Sequence, residues 1–432
     1  MVVLMSGARI VFDRWDGRYA RRMEGVRSSA TRDLFAAAGQ SDMVSFAGGM
    51  PDIARVPNEL VLAAAREAIL DHGAEALQYG SSEGREPLRR IISGLMAEIG
   101  ARVRPDDVVV TAGAQQGLDL LAKVFLDPGD VIITEGPTYL GALQAFSAYQ
   151  PRVVCVPMDE RGMLTDVLEQ RLRELGPQGA KFIYTIPNFQ NPRGVTMAPE
   201  RRRRLLELAR EYDIPVIEDD PYGRLRFEGG HMRPLRALDE DVVYLGTFSK
   251  IFAPGLRLGW VVAPSAIRRK LLLAKQAADL CGSSYAQLTA EGYFSGTSWR
   301  RVLRHLVTAY AARRDVMLEA LAEYFPAEAR WSMPEGGFFL WVELPSFLDL
   351  GALLPEAVEH GVTYVPGSAF YPDGRTGRNC MRLAFCYASP DEIREGVRRL
   401  AEVLEDRLEL YRAFAAADAL PPQDADREDV CA

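Results

Sequence analysis

The 432-residue chain predicts an α/β protein, with a large domain on a mostly parallel sheet covered by helices on both faces and a smaller α+β domain beside it. Two observations carry this. Between about residues 60 and 300, short and almost wholly apolar runs alternate with stretches of helical spacing. Strands apolar at every position are buried on both faces, as in a parallel sheet between two helix layers. The second observation is length, which exceeds what one simple core holds.

The elements follow in order. Residues 1–40 read as a basic, weakly patterned arm with one helical piece at "SSATRDLFAAAG". The large domain, 60–300, opens its sheet with "DDVVVTAG", a strand and turn. The helix "AQQGLDLLAKVFL" follows, then the strand and turn "GDVIITEGPTY". "KFIYTIPNF" is a strand, "PERRRRLLELAREY" a helix, and "IPVIEDD" and "DVVYLGTFSK" are strands. "RRVLRHLVTAYAARRDVMLEALAEYF" then reads as one long amphipathic helix, a strut between domains. "EGGFFLWVELP", "VTYVPGSAF" and "CMRLAFCYA" are short strands, and "SPDEIREGVRRLAEVLEDRL" is a helix capped by Ser389. With residues 41–59, the stretch 301–415 makes the smaller domain. The tail 416–432, small, acidic and proline-containing, is expected to be disordered.

Composition excludes several classes. Hydrophobic residues at 48% and charged residues at 25% fit an ordinary globular protein. A net charge of −8 speaks against nucleic acid as a partner, since phosphate backbones want a basic face. The densest basic run, Arg201 to Arg204, reads as a solvated helix face. Five cysteines without CxxC spacing fit a reducing, cytoplasmic setting, and four scattered histidines give no metal-ligand pattern. No apolar stretch is long enough to span a membrane.

In open α/β sheets, ligands bind beyond the carboxyl ends of the strands, so those positions carry the chemistry. After "VVV" comes "TAGAQQG", a glycine turn feeding a helix whose first N–H groups suit a phosphate; many ordinary turns look the same. After "VIITEGP" comes Tyr139, either a ring that stacks on a planar ligand or a packed surface tyrosine. "NFQNPRG" favours a tight turn that leaves the Asn191 amide for a polar ligand atom. Asp219 and Asp220 close "PVIE", either as a capping pair or as an anion facing a cationic ring nitrogen. Ser249 and Lys250 close "VVYLGTF". A lysine amine in an apolar site has a lowered pKa and suits a Schiff base to an aldehyde. Arg257, seven residues on, is placed to bind a phosphate. Together these features describe one ligand, pyridoxal 5'-phosphate.

With "SFAGGMPD", "LQYGSSEG", "PNFQNPRG", "IEDDPYG", "FSKIFAPGLRLGW", "KQAADL", "EGGFFLW", "VPGSAF" and "MRLAF" in this order, the chain resembles fold type I pyridoxal-phosphate aminotransferases of class I over about residues 28–410. The branch it resembles most is that of α-aminoadipate and kynurenine aminotransferases. The resemblance implies a ping-pong transfer from an L-amino acid (aromatic, branched-chain or 2-aminoadipate-like) to a 2-oxo acid, 2-oxoglutarate by analogy.

It also implies residue roles. Lys250 would be the Schiff-base lysine and general base, and Asp219 would keep the pyridine nitrogen protonated. Tyr222 and Asn191 would bond the ring's phenolic oxygen, and Tyr139 would stack on the ring. Ala114, Gln115, Thr247, Ser249 and Arg257 would hold the phosphate. Tyr79 would reach the phosphate of a neighbouring subunit, which implies a homodimer with shared sites. Arg382 would take the substrate α-carboxylate, with Asn191 and Gly49 beside the substrate. Arg32 matches a position where relatives meet acidic side chains, or is an exposed helix arginine. One departure is Arg193, where the family's turn carries threonine; no loss of chemistry is expected from it. Two rivals remain. One is a lyase, decarboxylase, cyclase or oxygen-using enzyme on the same scaffold. The other is an aminotransferase-like transcription regulator, for which too few residues precede Ser45 to fold a DNA-binding domain.

Overall fold

The computed structural model of the protein describes residues 13–25 and 42–416. The helical piece expected at 28–39, with Arg32 on it, lies outside the described residues, as does the tail from 417 onward.

In chain order the strands are β1 (Val44–Ser45), β2 (Val108–Thr111), β3 (Val131–Gly136), β4 (Arg152–Asp159), β5 (Gly162–Met163), β6 (Ile183–Thr185), β7 (Val216–Asp219), β8 (Val243–Thr247), β9 (Gly259–Val262), β10 (Arg330–Trp331), β11 (Phe339–Glu343), β12 (Val362–Thr363), β13 (Val365–Pro366) and β14 (Cys380–Ala384). Eight of them form one sheet in the order β2-β9-β8-β7-β6-β3-β4-β5. The pairs β3/β4, β3/β6, β6/β7 and β7/β8 are parallel. β9 runs antiparallel to both β2 and β8, so β2 and β8 share one direction. The carboxyl ends of β2, β3, β6, β7 and β8 therefore lie along one edge of the sheet.

Every residue of β2, β6, β7, β8 and β9 is buried, because helices cover both faces. The alternation of side chains sorts neighbours to opposite layers. Tyr184 and Ile217 pack with Leu118, Leu121 and Phe146, under the helices Gly113–Phe125 and Leu140–Ser147. Ile183 and Val216 pack with Leu168, Leu205 and Leu208, under the helices Thr165–Leu175 and Pro199–Glu211. Burying each such side chain contributes roughly 1.5–3 kcal/mol. Phe146 meets both Phe182 and Tyr184 edge-on at 5.4 Å, which adds roughly 0.5–1.5 kcal/mol per pair.

The long helix is Ser298–Tyr324, and its buried residues recur at helical spacing: Val302, Leu306, Tyr310, Met317, Leu321. Its core also holds Val110 and Trp260 of the large sheet and Leu340 and Leu383 of a second, antiparallel sheet, β10-β11-β14-β13. β1 pairs in parallel with β12, and the Ala384 N–H donates to Phe46 O at 2.8 Å. That seam leads Gly48 and Gly49 across the edge where the strands of the large sheet end. The last helix, Pro390–Ala416, starts with a reciprocal cap: Glu392 N–H donates to Ser389 Oγ at 3.3 Å, and Ser389 N–H to Glu392 Oε2 at 2.6 Å.

Three expectations are corrected. β4 and β9 are full strands that the pattern did not single out, since proline at 157 and glycine at 259 interrupt the apolar run. "VTYVPGSAF" is not one strand: it splits at Tyr364 into β12 and β13, which join different sheets. The Arg201–Arg204 run is not simply a solvated face. Arg202 is 1% exposed and donates to the carbonyls of Met197, Pro187 and Arg233 and to Asn188 Oδ1. A guanidinium whose three nitrogens all donate to protein oxygens is tolerated in the interior, and only Arg203 of the four is exposed.

Candidate active site

The strand ends open into a cavity of about 510 Å³. Gly49 reaches it from the loop after β1, Arg382 from β14 of the antiparallel sheet, and Asp219, Thr247, Ser249 and Lys250 from the ends of β7 and β8.

Lys250 sits one turn past β8. Its Nζ donates to Gly49 O at 2.8 Å and lies 5.6 Å from the centre of the Phe338 ring. Burial lowers its pKa to about 8, and the positive charges of Arg382 and Arg257 push the same way. Part of the amine is therefore neutral, and nucleophilic, near physiological pH.

The two carboxylates of β7's end are sorted by their partners. Asp220 is fully engaged: Oδ1 accepts from Asn188 Nδ2 at 3.1 Å and from Gly223 N at 3.0 Å, and Oδ2 from Tyr244 Oη at 3.0 Å. Buried Arg202 holds Asn188 in turn. Asp219 Oδ2 accepts from Tyr184 Oη at 2.8 Å, but its buried Oδ1 has no hydrogen-bond partner among the described residues. Burial is the main reason its pKa is pushed up to about 7; the Tyr184 hydrogen bond opposes this and the charge of Asp220 adds to it. Such a group is completed by a cationic donor.

Arg382 is 3% exposed, and burial lowers its pKa to about 10. Its Nη1 donates to Asn191 Oδ1 at 2.9 Å and its Nη2 to Ala47 O at 2.5 Å, with the guanidinium 4.1 Å from the centre of the Phe339 ring. Because arginine only donates, the Asn191 oxygen must face it, and the amide nitrogen is left for a ligand acceptor. Two neighbours fix the Asn191 turn. Gly194 has φ +71°, and a Cβ there would run into the Phe339 carbonyl, so only glycine lets the turn dock on β11. Gln190 braces it from below: its Nε2 donates to Glu135 Oε2 at 3.0 Å and to Pro137 O at 2.8 Å.

At the other end, the helix Gly113–Phe125 points its N-terminus at the cavity. Its first N–H groups lack helical partners and favour an anion. Gly113, with φ +75°, leaves room for the Arg257 guanidinium, which a Cβ would strike. Thr247 Oγ1 bonds Ser249 Oγ at 2.9 Å, so two hydroxyls stand together beside them.

The cavity thus brings together Gly49, Ala114, Gln115, Tyr139, Asn191, Asp219, Tyr222, Thr247, Ser249, Lys250, Arg257 and Arg382. The Gln115 side chain is engaged elsewhere, donating to Gly141 O at 2.7 Å, so what it can offer an anion is backbone. Tyr79 is not in this cavity: it is 78% exposed on the protein surface. Arg32 lies outside the described residues. Arg193 points away, donating to Met158 O at 3.0 Å and lining a separate cleft with Trp331 and Trp341. Sequence reasoning missed Tyr184 and Glu135. Each is a polar group inside an apolar strand, which was the available signal. Glu135 is wholly buried and burial pushes its pKa up to about 7.

Pyridoxal 5'-phosphate fits these residues. Asp219 Oδ1 lacks a donor, the helix N-terminus and Arg257 lack an anion, the Asn191 amide nitrogen is available, and a partly neutral amine stands between them. A family model described as "Aminotransferase class I and II" matches residues 41–400. The aromatic-amino-acid aminotransferase 1 of Thermococcus litoralis is 44% identical over 395 residues, covering 90% of this chain and 94% of that protein. The structure of the Pyrococcus horikoshii kynurenine aminotransferase, in complex with PMP, matches with a TM-score of 0.87 and 43% identity over 91% of this chain and 98% of that one. The α-aminoadipate aminotransferase of Thermus thermophilus, complexed with N-(5'-phosphopyridoxyl)-L-leucine, matches with a TM-score of 0.85 and 36% identity over 92% of this chain and 99% of that one.

Proposed function

The chain belongs to the class I and II aminotransferases and uses pyridoxal 5'-phosphate, and on that premise we propose that it moves the amino group of an aromatic, branched-chain or 2-aminoadipate-like L-amino acid to 2-oxoglutarate by a ping-pong route. The observation that carries this is the convergence of Lys250, Asp219 and Arg382 on one cavity. Phe339, Ile186 and Leu140 on the walls favour apolar side chains. The names of the relatives point the same way.

Each residue then has a task. Arg382 takes the substrate α-carboxylate through its planar fork. Lys250 would tie the cofactor through its Nζ, and with that Nζ free it would take the proton from the substrate α-carbon. When bound, the cofactor supplies an electrophilic aldehyde and a pyridinium ring that accepts the electron pair left at that carbon. Asp219 holds the proton on the ring nitrogen. Asn191 and Tyr222 would hydrogen-bond the phenolic oxygen, and Tyr139 would pack against the ring. The N–H groups of Ala114 and Gln115, with Thr247, Ser249 and Arg257, hold the phosphate, and Gly49 borders the substrate.

An absorbance titration with single amino acids and no acceptor tests this. The visible band of the bound cofactor should bleach with phenylalanine, leucine or 2-aminoadipate and return on adding 2-oxoglutarate. A band that persists while an oxo acid builds up without amino transfer would move the protein to another reaction on the same scaffold.

The active unit is a homodimer. Leu62, Leu70, Leu77 and Tyr79 are large and mostly exposed, more apolar surface than a lone soluble chain usually gathers in one stretch. Tyr79, in that stretch, would reach the phosphate end of the partner copy's cavity. Light scattering should give twice the chain mass. Leu77→Glu should shift the protein to monomer and weaken cofactor retention by about tenfold or more. A fully active monomer would overturn the shared site.

A further inference from the structure

A second buried lysine plays no part in the reaction. Lys275 closes the helix Ser265–Ala278, away from the cavity, and is fully buried. Its Nζ donates to both carboxylate oxygens of Asp279, each at 2.7 Å. Asp279 Oδ2 also accepts from Gln116 Nε2 at 2.7 Å. Gln116 Oε1 in turn accepts the backbone N–H of Ala112 at 2.8 Å. An unbroken run of hydrogen bonds therefore leads from the buried ammonium to the turn that starts the helix Gly113–Phe125.

That turn needs outside support. Ala112 stands at the N-cap position, where a side chain with an oxygen would normally fix the helix start, and it has none to offer. Gln116, one turn on, holds the start from the other side: it takes the N–H of Ala112 itself and leaves the first helical N–H groups free for an anion. A lone glutamine side chain could swing away or flip its amide. Asp279 fixes which end is which, since a carboxylate takes the NH₂ and turns the oxygen toward Ala112. Lys275 fixes Asp279. Around the same turn, Thr111 Oγ1 donates to Gly113 O at 2.9 Å, and Arg257 Nη2 faces Ala112 O at 3.4 Å.

We propose that Lys275, Asp279 and Gln116 are positioning residues that set the anion-binding turn, and so act on the cofactor's phosphate and not on its ring. This rests on the reading of that end of the cavity as the phosphate site. The test compares two probes on cofactor-stripped protein: pyridoxal 5'-phosphate and pyridoxal, which has the ring and aldehyde but no phosphate. Gln116→Ala should raise the dissociation constant for pyridoxal 5'-phosphate about tenfold and that for pyridoxal less than about twofold. Lys275→Met, which keeps an unbranched stem, should shift the two constants in the same unequal way. Equal losses for both probes, or no loss for either, while the unaltered protein keeps its phosphate preference, would show the network to be merely structural and overturn the inference alone. An unaltered protein that binds pyridoxal as tightly as pyridoxal 5'-phosphate would overturn the phosphate site itself and the inference with it.

Discussion

Lys250→Ala is expected to leave a folded protein that still binds pyridoxal 5'-phosphate but turns over at least about a thousandfold more slowly. On the proposed roles two functions would leave together: the covalent tie and the base that takes the α-proton. Neither has a substitute nearby. The other basic groups at the cavity are Arg382 and Arg257, whose guanidinium groups only donate hydrogen bonds and so cannot serve as the base. Folding should not suffer. Nζ makes one hydrogen bond, to a backbone carbonyl, and burial already disfavours its charge. A pH series gives an independent check. The folded-state pKa is about 8 against an ordinary 10.5, so between those values the unfolded chain holds more protons than the folded one. Stability of the cofactor-free protein should therefore rise from about pH 8 toward 10.5 by this contribution, and the rise should be missing in Lys250→Ala. Unchanged turnover in the variant would sink the role of Lys250.

The fold class was legible because the central strands are apolar at every position. β2, β6, β7 and β8 could be read as buried strands from "VVVT", "FIYT", "PVIED" and "VVYLGT" alone. β9 was harder. Its "GWVV" comes directly after the lysine motif, and nothing local says that it turns back between β2 and β8. Its place is set by the pairing of Gly246 with Trp260, a contact fourteen residues apart that only the folded sheet makes.

The site was legible for a related reason. Ligand groups cluster where strands end, so reading just past each strand found Tyr139, Asn191, Asp219, Ser249 and Lys250 without any long-range information. What could not be read is which partners those residues have. Asp219 and Asp220 look alike in "EDDP"; three hydrogen bonds on one and an unbonded oxygen on the other separate them. Arg202 was misread for the mirror-image reason. Four consecutive arginines suggest water, yet helical spacing turns the second toward the carbonyls of Pro187 and Arg233. That buried arginine holds Asn188, and Asn188 holds Asp220, so the misread residue supports the strand end that carries Asp219.

The contrast between the two carboxylates makes Asp219→Asn the most informative single change after the lysine. It should lower kcat/KM by roughly a hundred- to a thousandfold with little change in stability. Asparagine keeps the shape and can still accept the Tyr184 hydroxyl, which now donates to Oδ2 at 2.8 Å. It also removes a buried carboxylate whose charge burial disfavours, pushing its pKa up to about 7. What it loses is the negative charge that a ring nitrogen needs to keep its proton, and with it the pull on electrons at the substrate α-carbon. The loss should therefore appear in the single-turnover half-reaction and not in amino acid binding. Asp220→Asn is the control. Its oxygens accept three protein hydrogen bonds and Asp220 does not line the cavity, so the change should lower the melting temperature more than the rate of the chemical step. A near-normal half-reaction in Asp219→Asn beside a crippled one in Asp220→Asn would mean that the wrong carboxylate had been placed at the ring. The orphaned Oδ1 would then need another donor to explain it.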